Sequence, residues 1–379
     1  MRYTGTIEGF YGKPWSDSQR TLLFTWMKQW GMNSYLYAPK DDLKHRKLWR
    51  ELYSEQELVD LKKLIQEASL SGVDFIYAIS PGLDIDYKNE AELLLKKIDQ
   101  VIEIGCEKFA ILFDDIPDNN PDAKAQAKIT NQVLQHIPDD RLLFCPTVYC
   151  DMMAQYKVAE NEYLLELGQQ LDSNVDLMWT GPEVVSLEIP VDSIINLQKV
   201  IKRKPVIWDN IHANDYDLHR MFVGPFSGRP VELKNEVEGI MSNPNCQFWV
   251  NYIPLKSLAV YCKSDSYNPR AEYLKMIPEW MAHFGEHDLT VEEMTLLCDC
   301  FYLPGESGEL AKTALDNKLK FSKTVHSMYE KIANISNREM FHALHKYFWE
   351  LRRVACVIDG NPVTHKQSDV VISLMERLK

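Results

Sequence analysis

The sequence has none of the features that place a protein in a membrane or on a nucleic acid. No apolar run approaches the roughly 18 residues that a membrane-spanning helix needs. The formal net charge is −13, and the basic run Lys202-Arg203-Lys204 is short. Phosphate backbones and anionic lipids bind basic surfaces. The sequence therefore predicts neither a nucleic-acid partner nor a membrane partner.

Motifs for metals and for phosphate-bearing cofactors are also missing. The ten histidines do not cluster at ligand spacing, and Cys298-x-Cys300 lacks the second ligand pair of a zinc site. No glycine-rich turn of the kind that binds a dinucleotide follows a predicted strand. We therefore expect no metal and no cofactor.

The cysteines and the first residues indicate a compartment. The eight cysteines are scattered and several lie in apolar surroundings, which is typical of buried free thiols. The chain starts MRYTGTIEGF, without the basic segment and apolar core of a signal peptide. We expect a reduced intracellular compartment.

What the sequence does contain is a regular alternation of short apolar strands and amphipathic helices. Eight strands with intervening helices over about 250 residues match an α/β fold of the (β/α)8 TIM barrel type. An open doubly wound sheet is the competing fold, but it needs no eighth strand. The predicted strands are Tyr3–Phe10, Ser34–Ala38, Phe75–Ile79, Phe109–Phe113, Leu142–Cys145, Val175–Trp179, Pro205–Trp208 and Gln247–Tyr252.

The strand pattern stops near Val260, and only helical patterns follow. The sequence therefore predicts a barrel domain over residues 1–285 and an α-helical stalk domain over residues 286–379. The predicted helices in this part are Asn268–Phe284, Val291–Tyr302, Glu309–Ile335, Asn337–Asp359 and Thr364–Leu378.

A buried strand that runs directly into two acids is the first candidate for chemistry. Phe109–Phe113 is followed by Asp114 and Asp115, and Pro117 then ends regular pairing. In a parallel barrel the carboxyl ends of the strands open onto the loops that bind substrate. The alternative is that one Asp caps the next helix and the other faces water. A magnesium-binding DDxxD motif is disfavoured because that motif belongs on a helix, which Pro117 interrupts.

Polar and aromatic side chains gather at the predicted ends of the other strands, and this mixture suits a sugar. Two acids that cleave a glycosidic bond normally come from different strands, whereas these two are adjacent. Adjacent acids fit substrate-assisted hydrolysis, in which the substrate's own acetamide is the nucleophile. The polar residues past the strands are Glu8, Gly9, Lys40, Asp41, Asp42, Thr147, Tyr149, Thr180, Asn210, Asp215, Asn243, Asn251 and Tyr252.

Eight segments of the chain together carry a family resemblance. They are EGFYGKPWS (8–16), YLYAPKDDLKHR (35–46), FIYAISPGLDI (75–85), FDDI (113–116), CPTVYC (145–150), WTGPEVVSLEIP (179–190), WDNIHANDYD (208–217) and SNPNC (242–246). In this order they resemble the catalytic domain of the O-GlcNAcases, the retaining β-N-acetylglucosaminidases of glycoside hydrolase family 84. The resemblance covers about residues 3–305 closely and is nearer to the animal enzymes than to the bacterial ones.

The resemblance implies an enzyme that removes O-linked N-acetylglucosamine from Ser and Thr of proteins in the cytoplasm or the nucleus. Asp114 would orient and polarise the substrate acetamide, and Asp115 would be the general acid and base. Tyr149 would hold the acetamide while an oxazoline intermediate forms. The implied pocket wall is Cys145, Thr180 and Trp208, and the implied hydroxyl-binding groups are the carbonyl of Gly9 with Lys40, Asn210, Asp215 and Asn243.

The chain departs from the animal relatives in two places. Lys263–Tyr267 stands where they carry a long disordered insert, and this chain lacks their acetyltransferase-like domain. The helical tail resembles their dimerisation stalk, so we expect a homodimer in which Thr364–Leu378 packs on the second subunit. Trp349 would border the substrate cleft. A catalytically silent glycan-binding or scaffold protein on the same barrel is the alternative function.

Overall fold

The computed structural model describes residues 1–116 and 121–361. The strands are β1 Tyr3–Glu8, β2 Ser34–Tyr37, β3 Asp74–Ile79, β4 Lys108–Leu112, β5 Leu142–Cys145, β6 Val175–Trp179, β7 Val206–Asp209 and β8 Gly239–Ser242. They pair in parallel in chain order, and β8 pairs back with β1, so the sheet closes into a barrel. The (β/α)8 fold that the sequence predicts is therefore confirmed.

Side chains from the strands fill the interior of the barrel. Aliphatic residues such as Ile7, Leu36 and Met241 pack there, and all three are fully buried. The approach of β8 to β1 depends on a glycine, because a Cβ on Gly239 would lie 2.3 Å from the carbonyl oxygen of Tyr3. The barrel is therefore a packed core, and ligands reach it only at the ends of the strands.

The sequence places the eighth strand at Gln247–Tyr252, and this prediction is wrong. The eighth strand is Gly239–Ser242, whereas Phe248–Asn251 forms a 3-10 turn that leads directly into a helix. The aromatic run has high strand propensity, but tertiary packing overrides such propensity. The true strand begins with a glycine, which strand propensity disfavours but close approach to β1 requires.

Helices connect the strands and then continue alone to the end of the described chain. Capping boxes at Ser16 and Ser54 fix the starts of the first two helices. The helices are α1 Asp17–Trp30, α2 Glu55–Leu70, α3 Ala91–Glu103, α4 Ala123–Leu134, α5 Glu162–Gln170, α6 Val191–Ile201, α7 Tyr252–Lys263, α8 Pro269–Met281, α9 Val291–Cys300, α10 Glu309–Asp316, α11 Lys318–Lys331 and α12 Arg338–Ile358.

The chain forms two compact units, each built from separate segments. The first unit contains all eight strands and comprises residues 1–210, 227–244 and 259–266. The second unit comprises residues 211–226, 245–258 and the described chain from residue 267. These units do not follow the boundary at residue 285 that the sequence suggests, and that division stays a prediction.

A buried acid organises the second unit. Asp299 on α9 is fully buried and accepts hydrogen bonds from both Nη atoms of Arg270, at 2.6 and 2.8 Å. The hydroxyl of Tyr273 and the backbone N–H of Leu310 also donate to this carboxylate, each at 2.8 Å. Gly308 leaves room for the carboxylate, because a Cβ there would lie 2.2 Å from its Cγ. The four donors join α8, α9 and α10 into one packed group.

The predicted helix Glu309–Ile335 is divided in two at Asn317, whose side chain caps α11. The predicted helix Asn337–Asp359 corresponds to α12. The predicted helix Thr364–Leu378 lies outside the described residues. Among residues 1–116 and 121–361, no helix combines the length and the apolar composition needed to cross a membrane.

Candidate active site

The acidic pair lies in a tight turn at the carboxyl end of β4. The strand ends at Leu112, and the N–H of Phe113 still donates to the carbonyl of Cys145 at 2.9 Å. Asp115 then adopts a φ of 52°, in the left-handed region that Asp tolerates better than most residues. Because the backbone changes direction here, the two adjacent side chains reach different partners above the same strand.

Arg46, in the loop between β2 and α2, holds this turn in place. One Nη atom donates to the carbonyl oxygens of Asp114, at 3.3 Å, and of Asp115, at 3.0 Å. The other Nη lies 3.6 Å from the carboxylate of Asp114, and the whole side chain is buried. A planar guanidinium can bind several oxygens at once. These contacts support a left-handed backbone that costs on the order of 1 kcal/mol.

Asp114 is a buried carboxylate that neighbouring cations keep ionised. Nζ of Lys40 donates to its Oδ2 at 2.8 Å, and both side chains are shielded from solvent. Burial alone would raise the pKa of Asp114, but Lys40 and then Arg46 outweigh burial, so this pKa is lowered. Oδ1 is also buried, and no described protein atom donates a hydrogen bond to it. A charged acceptor oxygen therefore remains for a donor from outside the protein.

Asp115 is the more exposed acid, and two phenols contact it. The hydroxyl of Tyr149 donates to Oδ1 at 2.7 Å, and the hydroxyl of Tyr11 donates to Oδ2 at 3.1 Å. Burial and then the charge of Asp115 raise the pKa of Tyr149, and the same two causes raise the pKa of Tyr11. Both phenols therefore remain protonated donors.

His45 fixes the loop that carries Lys40 and Arg46. Its ring Nδ1 lies 2.7 Å from the carbonyl of Ala78, so Nδ1 carries the proton and donates. Its own carbonyl accepts from the N–H of Ser80 at 2.9 Å. Burial and then the charge of Lys40 lower the pKa of His45 to about 4. The ring is therefore neutral near pH 7 and adds no third cation beside Asp114.

Cys145 is the last residue of β5 and Thr180 follows β6, and both are buried beside Tyr149. The N–H of Thr180 donates to the carbonyl of Tyr149 at 2.9 Å, and its hydroxyl donates to the carbonyl of Glu183 at 2.7 Å. Burial and then the charge of Asp114 raise the pKa of the Cys145 thiol, so it is not a nucleophilic thiolate. These residues fix the backbone that carries Tyr149.

A row of amides follows β7 and β8. The indole Nε1 of Trp208 donates to Oδ1 of Asn210 at 3.0 Å, and Nδ2 of Asn243 donates to the same oxygen at 3.0 Å. Nδ2 of Asn210 donates to the carbonyl of Val184 at 2.7 Å. Oδ1 of Asn243 is buried and has no partner among the described atoms. Gly9 lies against the indole, because a Cβ there would come within 2.9 Å of the Trp208 ring.

The structure thus brings together ten of the eleven predicted site residues at the carboxyl ends of the strands. Asp215 is half-buried and belongs to the second compact unit, so its role stays a prediction. The residues that lie at this end of the barrel are Gly9, Lys40, Asp114, Asp115, Cys145, Tyr149, Thr180, Trp208, Asn210 and Asn243.

Sequence reasoning did not assign Tyr11, His45 or Arg46 to the site. All three lie within two of the eight segments quoted above, in the loops after β1 and β2. Their position in loops that follow the carboxyl ends of two strands is the sequence signal that could have identified them. Glu8, by contrast, has a structural role, because its carboxylate accepts hydrogen bonds from Arg20 at 2.7 and 2.9 Å.

The described residues contain no cluster of three or more His, Cys, Asp or Glu side chains with the arrangement of a metal site. All eight cysteines are free, and five of them are buried. The donor set at the acidic pair consists of hydroxyl, ammonium and guanidinium groups, which bind carboxylates rather than cations. The two acids and these donors can form hydrogen bonds and transfer protons.

Comparison with known proteins identifies the family. The family model for beta-N-acetylglucosaminidase matches residues 4–297. The Protein O-GlcNAcases of Rattus norvegicus and Mus musculus are each 48% identical to this chain over 273 residues, which is 69% of this chain and 30% of each relative. The chain therefore spans less than a third of the length of these rodent relatives.

Solved structures agree with this match. A mutant of the O-GlcNAc hydrolase of Thermobaculum terrenum superimposes with a TM-score of 0.82 at 31% identity, covering 95% of this chain and 83% of that one. CpGH84B has a TM-score of 0.82 at 24% identity, over 100% of this chain and 73% of the other, and shows the same fold. From the family model and the barrel together, the chain belongs to the beta-N-acetylglucosaminidase family of glycoside hydrolases.

Proposed function

We propose that this chain is a retaining β-N-acetylglucosaminidase that removes O-linked N-acetylglucosamine from Ser and Thr of proteins. Its substrates would be O-GlcNAc-modified proteins and glycopeptides, and it would use no cofactor. The acetamide of the substrate attacks its own anomeric carbon and forms an oxazoline intermediate. Family membership and the identity to two rodent O-GlcNAcases support this reaction.

The observation that carries the proposal is the free oxygen of Asp114. Its Oδ2 is held by Lys40 at 2.8 Å, whereas its buried Oδ1 has no partner among the described atoms. An acetamide offers one N–H, and a charged acceptor in a buried site binds such a donor strongly. Accepting this bond places negative charge next to the acetamide as its oxygen becomes the nucleophile. A buried acceptor left unpaired costs about 1–3 kcal/mol, and a substrate N–H bonded to Oδ1 would remove this cost.

Asp115 is the proposed acid in the first step and base in the second. The acetamide oxygen forms a bond to C1 while the glycosidic C1–O bond breaks, and the leaving oxygen takes the carboxyl proton of Asp115. The acetamide proton stays on its nitrogen, bonded to Asp114, so the oxazoline ring forms in its protonated state. In the second step the carboxylate takes a proton from water, the water oxygen bonds to C1, and the oxazoline C1–O bond opens. Two displacements at one carbon retain the β configuration. Tyr149 donates its hydroxyl proton to Asp115 at 2.7 Å in the free protein. We assign this hydroxyl to turn to the acetamide oxygen and hold it during ring closure.

The remaining predicted residues are assigned to the sugar ring and its hydroxyls. The bare Oδ1 of Asn243 supports this assignment because it is a fixed acceptor for a hydroxyl. Asp215 is assigned by resemblance alone. The hydroxyl-binding set is the carbonyl of Gly9 with Lys40, Asn210, Asp215 and Asn243, and the wall is Cys145, Thr180 and Trp208.

We further propose that the protein is a homodimer through its helical tail and works in the cytoplasm or the nucleus. Both proposals rest on the resemblance to the animal enzymes. The predicted contact helix, residues 364–378, lies outside the described chain. A monomeric mass in light scattering at micromolar protein concentration would contradict the dimer.

Hydrolysis of a chromogenic β-N-acetylglucosaminide, with and without EDTA, tests the activity. The proposal requires turnover that chelation leaves unchanged, because no step uses a metal. The corresponding β-glucoside, which has no acetamide, is the control and should be stable. Equal cleavage of both sugars would contradict the acetamide mechanism. Binding of the sugar without turnover would favour the silent glycan-binding or scaffold protein instead.

The leaving group tests the role of Asp115. Asp115→Asn should slow hydrolysis of an O-linked glycopeptide by at least about 100-fold, because its leaving oxygen needs a proton. An aryl substrate with a strongly activated leaving group should lose far less in its first step. The two rates are measured on the same preparation. Equal losses for both substrates would remove Asp115 from the acid role.

A further inference from the structure

The proposed mechanism gives no role to the hydrogen bond between Tyr11 and Asp115. Tyr11 lies three residues after β1 and donates to Oδ2 of Asp115 at 3.1 Å, while Tyr149 donates to Oδ1 at 2.7 Å. Each carboxylate oxygen therefore has a hydroxyl donor. Donors of this kind stabilise the ionised carboxylate over the protonated acid. The first step of the proposed reaction, however, needs the protonated acid.

The two phenols differ in how firmly they are held. Tyr149 is 7% exposed, and its carbonyl accepts from the N–H of Thr180 at 2.9 Å. Tyr11 is 48% exposed and lies in a loop without regular secondary structure. Nζ of Lys40 lies 5.5 Å from the centre of the Tyr11 ring. The more exposed hydroxyl of Tyr11 is the one that the polypeptide side of a substrate can reach and displace from the carboxylate. It is also the donor to Oδ2, the oxygen that faces away from Tyr149.

We propose that Tyr11 is a positioning residue that switches Asp115 between its acid and base states. The Ser or Thr side of the substrate displaces the phenol from Oδ2, and Asp115 takes up a proton from solvent. The acid then gives this proton to the leaving oxygen. When the polypeptide departs, the phenol returns to Oδ2 and stabilises the carboxylate that deprotonates water. This inference rests on the proposed function, because it assigns the timing of the acid in that reaction.

The other groups around Asp115 that the structure describes do not act in this way. Arg46 contacts its backbone carbonyl rather than its carboxylate. Asp114 is itself held by Lys40, and the buried Cys145 thiol is neutral because burial raises its pKa. Of these groups, only the two phenols bond the carboxylate directly, and only Tyr11 among them is exposed.

The pH dependence of kcat/KM tests the switch with two substrates, an O-linked glycopeptide and an activated aryl N-acetylglucosaminide. In Tyr11→Phe one donor to the carboxylate is lost, so the protonated acid persists to higher pH. We expect the alkaline limb of the kcat/KM profile for the glycopeptide to shift to higher pH by about half a unit. The limb for the aryl substrate should stay in place, because that leaving group needs no proton.

Tyr156→Phe is the matched control. Tyr156 is 63% exposed and donates to Glu183 rather than to an active-site acid, so its removal should move neither limb. Tyr11→Leu also lacks the hydroxyl and should reproduce the displacement seen in Tyr11→Phe. Thermal unfolding of each variant separates loss of fold from loss of the hydroxyl.

The outcomes separate this inference from the proposed function. A higher KM for the glycopeptide with an unmoved alkaline limb would mean that Tyr11 only contacts the polypeptide, and the switch would be overturned. An unmoved limb in an active Tyr11→Leu variant would also overturn it. If the unmodified protein releases sugar from neither substrate, the proposed function falls and the switch falls with it.

Discussion

Two buried aspartates, one at each end of the barrel, are bonded differently. At the amino ends of the strands, Asp176 on β6 accepts from the hydroxyl of Tyr3 at 2.8 Å and from Nε of Arg141 at 2.9 Å. A second nitrogen of Arg141 bonds the other oxygen of this carboxylate. At the carboxyl ends, Asp114 has Lys40 on Oδ2 and no described partner on Oδ1.

The difference separates a residue that stabilises the fold from one that is left ready for a ligand. A fully bonded buried network is rigid and offers nothing to an incoming group. A buried oxygen without a protein donor costs stability unless water or a ligand supplies the hydrogen bond. Burial and then Asp176 raise the pKa of Tyr3, so the lower network stays intact over the physiological range. The comparison predicts that the two aspartates fail in different ways when they are changed.

Asp114→Asn should give the largest effect, on activity. The neutral amide cannot supply the negative charge that polarises the acetamide, so kcat/KM should fall by about 100-fold to 1,000-fold. Substrates with activated and with natural leaving groups should lose activity alike, because the proposed mechanism uses the acetamide as nucleophile in both reactions. Rates are measured per folded molecule with aryl and glycopeptide substrates. Near-normal turnover would show that the free oxygen has no catalytic role.

Asp176→Asn should act on stability instead. Removing the charge leaves Arg141 facing a neutral partner, so the free energy of unfolding should fall by about 3 kcal/mol. The folded fraction should keep kcat within about twofold, because Asp176 lies at the opposite end of the strands. Urea unfolding gives the stability, and Asp265→Asn, at an exposed acid, should stay within about 0.5 kcal/mol of the parent. Loss of turnover in the folded Asp176→Asn variant would contradict the purely structural role of Asp176.

Arg46→Lys sharpens the comparison within the upper end. A lysine keeps a positive charge near Asp114 but cannot bond the carbonyls of Asp114 and Asp115 as the guanidinium does. We expect kcat to fall about tenfold with a smaller change in KM, because a small displacement of the acids affects the reaction more than binding. Arg50→Lys is the control in the same loop, since Arg50 bonds Asp84 and Glu90. Equal activity of both variants would mean that the turn carrying Asp114 and Asp115 keeps its conformation without the Arg46 guanidinium.

His45 should give an effect that is visible only in acid and absent at neutral pH. Its folded pKa is lowered from 6.5 to about 4, so the native state holds the ring neutral while the unfolded chain protonates it. The stability from this residue is therefore fully present above pH 6.5 and is lost as the pH falls toward 4. The free energy of unfolding should drop by about 2 kcal/mol more in the parent than in His45→Asn over that range. Parallel stability curves for the two proteins would contradict the buried neutral ring.

Most of the barrel can be predicted from the sequence, because seven of its strands are apolar runs bounded by turns and helices. Each of these seven begins and ends within two residues of its predicted limits. The eighth cannot, because Gly239–Ser242 is short and starts with a glycine, and a nearby aromatic run has stronger strand propensity. Gly239 is explained by the close approach of β1, which the local sequence does not show.

The site is predictable where it depends on strand ends and unpredictable where it depends on distant contacts. Asp114 and Asp115 stand out because an apolar strand runs into them. The left-handed φ of Asp115 and the support from Arg46, 69 residues away in sequence, have no local signal. The same holds for Tyr11, whose bond to Asp115 spans 104 residues.

The indole of Trp208 gives the amide row a fixed direction. An indole N–H can only donate, so Asn210 must turn its oxygen toward the ring, and Asn243 must turn its nitrogen toward that same oxygen. The row then ends in a bare oxygen on Asn243. Under the proposed hydroxyl-binding role of Asn243, a fluorine in place of that hydroxyl would set one acceptor against another, and we expect the fluorinated sugar to bind more weakly.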